Sequence, residues 1–233
     1  MTAPPLAGRL AVVTGSSRGI GLAIAEELQA AGAHVVRLAR SLRDSNKERR
    51  TDIACDVTDP AAVGAAAALV IGERGAPDVL VNAAGTFILK PLAETTPDEF
   101  KEQLATNLAG PFAVLRAFTA AMVARKQGLV VTIGSIADHA TFPGNAAYSA
   151  AKFGLRGLHG VMAEELRGTG VRTCLLAPGP VDTDLWDPVD LSRPGFTARR
   201  DMLRAEDVAE AVLFVATRPG HVVIPELHIE PRR

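Results

Sequence analysis

Tyr148 and Lys152 stand four residues apart in the run Ala147-Tyr-Ser-Ala-Ala-Lys-Phe-Gly154. Residues at i and i+4 share one face of a helix, so this spacing holds an ammonium beside a phenol. A free tyrosine titrates near ~10, and each unit of depression requires about 1.36 kcal/mol of preference for the phenolate. A fixed cation nearby supplies such a preference, which makes Tyr148 a candidate general acid or base near neutral pH. Tyrosine and lysine at this spacing are also ordinary on helix surfaces. The rest of the chain must assign the chemistry.

A second constellation lies near the N-terminus, in Thr14-Gly-Ser-Ser-Arg-Gly-Ile-Gly21. Its glycines permit a tight turn and close approach of the backbone to a pyrophosphate. The helix that follows offers unpaired N–H groups and the positive end of its dipole. The end of the second strand selects between nucleotides, because an acid there binds a ribose 2′-hydroxyl. In Arg37-Leu-Ala-Arg-Ser41, Ala39 occupies that place and Arg40 and Ser41 follow it, with Arg18 in the glycine loop able to join them. Two guanidiniums and a hydroxyl suit a 2′-phosphate, so NADP(H) is expected over NAD.

These groups need a frame, and the patterning supplies one. Leu10–Thr14, His34–Leu38, Asp52–Cys55, Val79–Asn82, Leu129–Ile133, Val171–Leu176 and Val222–Ile229 read as strands. Most are continuous apolar runs, as buried parallel strands require. Ile20–Ala31, Pro60–Ile71, Pro97–Arg125, Ala146–Arg167 and Ala205–Ala216 read as helices. Asp59-Pro60 and Thr96-Pro97-Asp98-Glu99 mark two of the helix starts. The alternation predicts an α/β, doubly wound, parallel seven-stranded sheet with helices on both faces, in a single domain covering 1–233. The polar stretch from Ser41 to Thr51 is expected to be a loop. Asp182–Arg204 lacks periodicity and is expected to form a substrate lid.

Composition narrows the function classes. With 233 residues, 48% hydrophobic, 22% charged and a net charge of −1, the chain has no electrostatic case for nucleic acid or a membrane surface. Ala61–Ile71 is too short to span a bilayer. Met-Thr-Ala-Pro-Pro has no basic stretch followed by an apolar core, and Cys55 and Cys174 lie in apolar strand runs. A reduced, cytoplasmic setting is expected. No His or Cys grouping has metal-ligand spacing.

With these pieces assembled, the chain resembles the short-chain dehydrogenase/reductase family, in the branch marked by Thr-Gly-x-x-x-Gly-x-Gly and Tyr-x-x-x-Lys. Thr14, Gly15, Gly19 and Gly21 match the glycine motif, within which Ser17, Arg18 and Ile20 also fall. Asp56, followed by Val57, matches the acid that contacts adenine. Asn82-Ala-Ala-Gly85 matches Asn-Asn-Ala-Gly, with Ala83 replacing the second asparagine. Asn107, Ser135, Tyr148 and Lys152 match the catalytic set, and Pro178-Gly-Pro-Val-Asp-Thr183 matches the segment whose Val181 and Thr183 face the nicotinamide, with Gly179 in its turn.

The resemblance implies a Rossmann fold and reversible hydride transfer between nicotinamide and a carbonyl or alcohol carbon. Tyr148 would donate the proton and Ser135 would hold the reacting oxygen. Lys152 would bind the nicotinamide ribose and lower the tyrosine pKa, while Asn107 would hold a water linking Lys152 to solvent. Ser135, His139, Phe142 and Trp186 are candidate substrate contacts, together with Phe87. His139, Arg193, Arg199 and Arg200 are candidates for an anionic substrate. The tail from Arg218 to Pro231 resembles the NADP-dependent 3-hydroxy acid or serine dehydrogenase branch, which leans toward a small polar substrate. A 3-oxoacyl thioester reductase, docking an acidic carrier on Arg125-Lys126, is the alternative, and a non-catalytic NADP sensor a further one. The helices Pro97–Arg125 and Ala146–Arg167 carry more apolar surface than one core stripe needs. The family pairs such helices, so a homotetramer is expected, with a dimer as fallback.

Overall fold

In the computed structural model of the chain, which describes residues 3–192 and 196–232, the first strand is Leu10–Thr14 (β1) and all five of its residues are buried. It leads through the glycine turn into Gly19–Ala30 (α1). The chain continues through His34–Ala39 (β2), Ser45–Lys47 (β3), Arg50–Ala54 (β4), Pro60–Arg74 (α2) and Val79–Asn82 (β5). Pro97–Leu104 (α3), Gly110–Arg125 (α4), Gly128–Ile133 (β6), Ala146–Glu165 (α5), Val171–Pro178 (β7), Ala205–Ala216 (α6) and Glu226–Ile229 (β8) complete it. The strand order is β3-β4-β2-β1-β5-β6-β7-β8, and every pairing except β3–β4 is parallel.

Alternate residues of each strand serve opposite layers. Ala11 and Val13 pack with Ile24 and Leu28 of α1 and Val208 and Val212 of α6. Leu10 and Val12 pack with Val63 of α2, Phe118 and Met122 of α4 and Met162 of α5. Two apolar layers flanking one sheet are the doubly wound arrangement, and the strand order reverses direction between β1 and β5. A crevice opens there at the carboxyl ends of the strands, where ligands of such sheets bind.

The sheet holds eight strands instead of the predicted seven, because part of Ser41–Thr51 is not a loop. Ser45–Lys47 turns back antiparallel on β4, where the Ser45 hydroxyl donates to Asp52 at 3.0 Å. Asp52 is buried and also meets Arg37 at 2.8 Å and Arg50 at 3.2 Å. A strand this short and polar at a sheet edge shows no apolar alternation, and charged edges discourage pairing with other chains. The last strand begins at Glu226 and not at Val222. Pro225 has no N–H to give the ladder, and Val222 donates to Pro219 in a turn.

The helix predicted over Pro97–Arg125 is continuous but changes pitch. A π turn spans Ala105–Ala109 and carries the fully buried Asn107. Such single turns insert a residue into the ladder and recur at functional sites. Leu108 beside it lies against α5 at Gly154, where a Cβ would approach its Cδ2 to 2.8 Å. The start signals hold: Asp59 accepts from the N–H groups of Ala61 and Ala62, and Thr96 forms a capping box with Glu99.

Residues 182–204 follow β7. Their base is tied by the pairing of Val181 with Leu203, with Leu203 N–H donating to Pro180 at 2.9 Å and Asp182 N–H to Leu203 at 2.8 Å. Short 3₁₀ turns cover Asp184–Trp186 and Arg199–Asp201. Arg193, Pro194 and Gly195 lie outside the described residues, and with them one nominated substrate cation.

Candidate active site

The crevice is a cavity of about 1310 Å³ running from the glycine turn to the segment after β7. That exceeds the ~300–1,000 Å³ usual for a drug-sized ligand and leaves room for a dinucleotide with a substrate beside it. Gly15, Ser17, Arg18, Gly19, Ile20, Gly21, Arg40, Ser41, Asp56, Val57, Ala83 and Gly85 line one end. Asn107, Ser135, Phe142, Tyr148, Lys152, Pro178, Gly179, Val181, Thr183 and Trp186 line the other. Asn82, His139, Arg199 and Arg200, all nominated from the sequence, are absent from its wall. Asn82 is buried at the end of β5 with neither amide atom partnered. His139 turns instead to Asp138, 2.7 Å away, and packs its ring 4.8 Å from that of His228.

At the nucleotide end the residues fit the group the sequence implies. Gly15 has φ +67°, and a Cβ there would lie 2.6 Å from the Ala84 Cα. A Cβ on Gly21 would lie 2.4 Å from the Gly15 carbonyl oxygen. The Thr14 hydroxyl accepts from Ala83 and Ala84 N–H at 3.1 and 3.2 Å, which ties the β1 and β5 turns together. Unlike α2 and α3, α1 begins with no side-chain cap, and it has no acid in its first turn. Its open N–H groups and dipole face the cavity, as an anion site requires. Gly15→Ala is expected to cost about 1–3 kcal/mol of stability through backbone strain and to weaken dinucleotide binding, both read from thermal denaturation with and without nucleotide.

Further along this wall, Ala39 is buried and leaves no acid, while Arg18, Arg40 and Ser41 are exposed at the rim. Neither guanidinium forms an ion pair among the described residues. Asp56 accepts from the Thr58 N–H at 2.9 Å and hydroxyl at 2.7 Å. Burial opposes ionisation, but those bonds and the charge of Arg40 hold its carboxyl below the usual range.

At the other end, Ser135 begins a 3₁₀ turn directly after β6. Its hydroxyl accepts from Ala137 N–H at 3.1 Å, and its own N–H donates to Asp138 at 3.2 Å. Gly134 admits that carboxylate, since a Cβ there would fall 2.4 Å from Asp138 Oδ2. Asp138 is fully buried and also receives Arg156 at 3.1 Å. Sequence reasoning missed Asp138. The signal was present in Ser135-Ile-Ala-Asp138, the spacing of a capping box.

Lys152 reaches under the phenol. Its Nζ donates to the Ile133 carbonyl at 2.9 Å and sits 5.6 Å from the Tyr148 ring centre. Burial pushes the lysine down to about 8, against the pull of Asp138. The fold reverses the expected depression of Tyr148. Burial and the charge of Asp138 push the phenol up to about 12, and the neighbouring Ser135 hydroxyl lowers it only in part. The phenol is therefore protonated at neutral pH, which is the form a general acid needs.

The Asn107 side chain is held from two sides. Its side-chain amide donates to the Thr86 carbonyl at 3.0 Å and the Gln103 carbonyl at 3.1 Å, and accepts from Thr86 N–H at 3.2 Å. Both amide hydrogens are committed, so the side chain clamps the loop after β5. Gln103 reinforces the clamp by donating to the Thr86 hydroxyl at 2.9 Å. Among the described residues no three His, Cys, Asp or Glu side chains converge on a metal position.

A glycine turn opening onto the switch point, joined by one cavity to a serine, a tyrosine and a buried lysine, defines a dinucleotide-binding oxidoreductase. Comparison with known proteins agrees. Residues 9–193 match the short chain dehydrogenase family, and the chain belongs to it. It is 35% identical over 233 residues to the 3-oxoacyl-(acyl-carrier-protein) reductase FabG of Salmonella typhimurium, covering 95% of this chain and 96% of that protein. It is 36% identical to the glycine betaine reductase ATRR of Emericella nidulans, but spans only 19% of that protein's length while 98% of this chain is covered. A crystal structure of a metagenomic short-chain oxidoreductase in complex with NADP superposes with a TM-score of 0.81 at 36% identity, covering 98% of this chain and 99% of that one.

Proposed function

We propose that the chain is an NADP(H)-dependent carbonyl reductase or alcohol dehydrogenase acting on a small molecule. The observation that carries this reading is the placement of Ser135, Tyr148 and Lys152 on the same cavity as the uncapped start of α1. NADPH, when bound, supplies the hydride. Tyr148, protonated in the resting chain, gives its proton to the oxygen of the reduced carbonyl. Ser135, held by Asp138, donates to the same oxygen and steadies it as charge grows. Lys152, anchored by the Ile133 carbonyl, stands where it can hold the nicotinamide ribose and support proton return. Arg18, Arg40 and Ser41 would take the 2′-phosphate and Asp56 the adenine.

Oxidation of NADPH, and separately of NADH, over a panel of aldehydes, ketones, 3-keto acids and acyl thioesters tests the reading. Absence of turnover with every class despite tight NADPH binding would replace it with the sensor. Arg40→Ala is expected to weaken NADPH binding about 10-fold or more, from loss of a charge-assisted hydrogen bond. The same variant should narrow the gap to NADH, and an unchanged preference in fluorescence titrations would exclude Arg40 from the phosphate site.

The 3-oxoacyl thioester reading draws on the similarity to FabG, but the nominated docking pair does not favour it. Arg125 donates to the Ala76, Pro77 and Gln127 carbonyls and meets Asp78. That position is beside the amino end of β5, opposite the cavity at the strands' carboxyl ends. We also infer a cytoplasmic protein that self-associates as a homotetramer, or failing that a dimer. Support comes from the two free, buried cysteines, with Cys174 pushed up to about 12 by burial, and from Phe112 and Phe153 exposed on α4 and α5. Light scattering measures the assembly.

A further inference from the structure

We propose that the substrate is an uncharged aryl carbonyl compound whose ring lies among Phe87, Phe142 and Trp186, an inference that rests on the reductase reading above. The chain is poor in aromatic residues, with one Trp, one Tyr and eight Phe. Five of these, Phe87, Phe142, Tyr148, Trp186 and Phe196, line the one cavity. Phe87 stands edge-on to Tyr148 with centroids 5.0 Å apart, and it also meets Trp186 in a tilted contact at 5.0 Å. The proton donor is thus the last member of an aromatic row that reaches into the segment after β7. Aromatic rings favour such edge and offset contacts over arbitrary apolar packing, so the row offers more to a planar ring than to an aliphatic chain of equal size.

The charges point the same way. The cations the sequence nominated for an anionic substrate are turned to other work. His139 is taken by Asp138. Arg199 is shared between Asp182 and Asp187, and Arg200 lies beside Asp201 with most of its side chain in solvent. None of the three lines the cavity. The charged residues that the lid brings to its wall are two carboxylates, Asp184 and Asp201, with no lid cation among the described residues that line it. A substrate carboxylate entering there loses water and gains mainly like-charged neighbours, whereas a neutral ring has neither penalty. This departs from the small polar substrate that the tail resemblance suggested.

Trp186, the single tryptophan, gives a readout independent of turnover. The full chain, saturated with NADP+, would be titrated with acetophenone, with its cyclohexyl analogue and with 3-oxobutyrate. Binding would be followed by Trp186 fluorescence and by competition against carbonyl reduction. Acetophenone is expected to bind at least ten-fold more tightly than either comparator. Phe87→Leu, which keeps apolar bulk and removes the ring, should reduce that preference to three-fold or less. Equal or tighter binding of either comparator, or no response to acetophenone, overturns the aryl assignment. NADPH oxidation by any of the three would leave the reductase reading standing, and its absence with all carbonyl classes would remove the reading itself.

Discussion

Tyr148→Phe is expected to lower kcat for carbonyl reduction by about 10²–10⁴-fold, the usual worth of a positioned general acid, while NADPH still binds. The phenol is the one ionisable hydroxyl on the cavity wall that is half-buried against an aromatic neighbour and backed by a buried ammonium. Phenylalanine keeps the edge-on contact with Phe87 and removes only the proton. The loss should therefore fall on kcat with little change in thermal stability. Since burial pushes the phenol up to about 12, Tyr148 stays protonated through neutral pH and does not limit reduction there. The group that titrates first is Lys152, pushed down to about 8. The kcat/KM for the nucleotide, which reports free-enzyme groups, should then decline above about pH 8. Ordinary turnover by the phenylalanine variant would remove Tyr148 from the chemistry.

Lys152→Met should separate activity from stability. Its folded value of about 8 lies below the ordinary 10.5. Below pH 8 the lysine is protonated in both the folded and unfolded chain, and the buried ammonium costs its full penalty, on the order of 3 kcal/mol. Between pH 8 and 10.5 the unfolded chain holds more protons, so this residue's contribution becomes less unfavourable as pH rises. Above 10.5 the penalty is gone. Methionine, of similar length and apolar, removes the penalty but also the bond to the Ile133 carbonyl, worth about 1–1.5 kcal/mol. The variant should therefore be about 1–2 kcal/mol more stable than the parent at pH 7 and lose that advantage by pH 10.5, while turnover falls by orders of magnitude. Urea denaturation at both pH values decides it, and a less stable variant at pH 7 would show that the ammonium is compensated within the fold. A site that sacrifices stability for a buried charge is the general pattern of functional positions.

Motifs whose meaning is local were legible before the fold was known. The glycine turn between an apolar strand and a helix, the caps at Asp59 and Thr96, and the i to i+4 pair on α5 depend only on backbone geometry and helix periodicity. β3 was not legible, because a three-residue polar edge strand has no pattern of its own and exists through Asp52, to which Ser45 is brought by the hairpin. The π turn at Asn107 was hidden for a related reason, since nothing in the local pattern marks the change of pitch where Leu108 meets α5 at Gly154.

The alternation of strands and helices along the chain, the glycine turn and the nomination of Tyr148 as a candidate proton donor follow from short-range rules, because periodicity, turn chemistry and helix spacing act over a few residues. Which way the tyrosine's affinity for its proton moves, what Asn107 and His139 bond, and how the aromatic rings meet Tyr148 were set by contacts between distant segments. Burial, the Asp138 carboxylate and the Phe87–Trp186 row come from segments far apart in the chain, and their effects on charge and recognition exist only once the sheet and helices have brought them within a few ångströms.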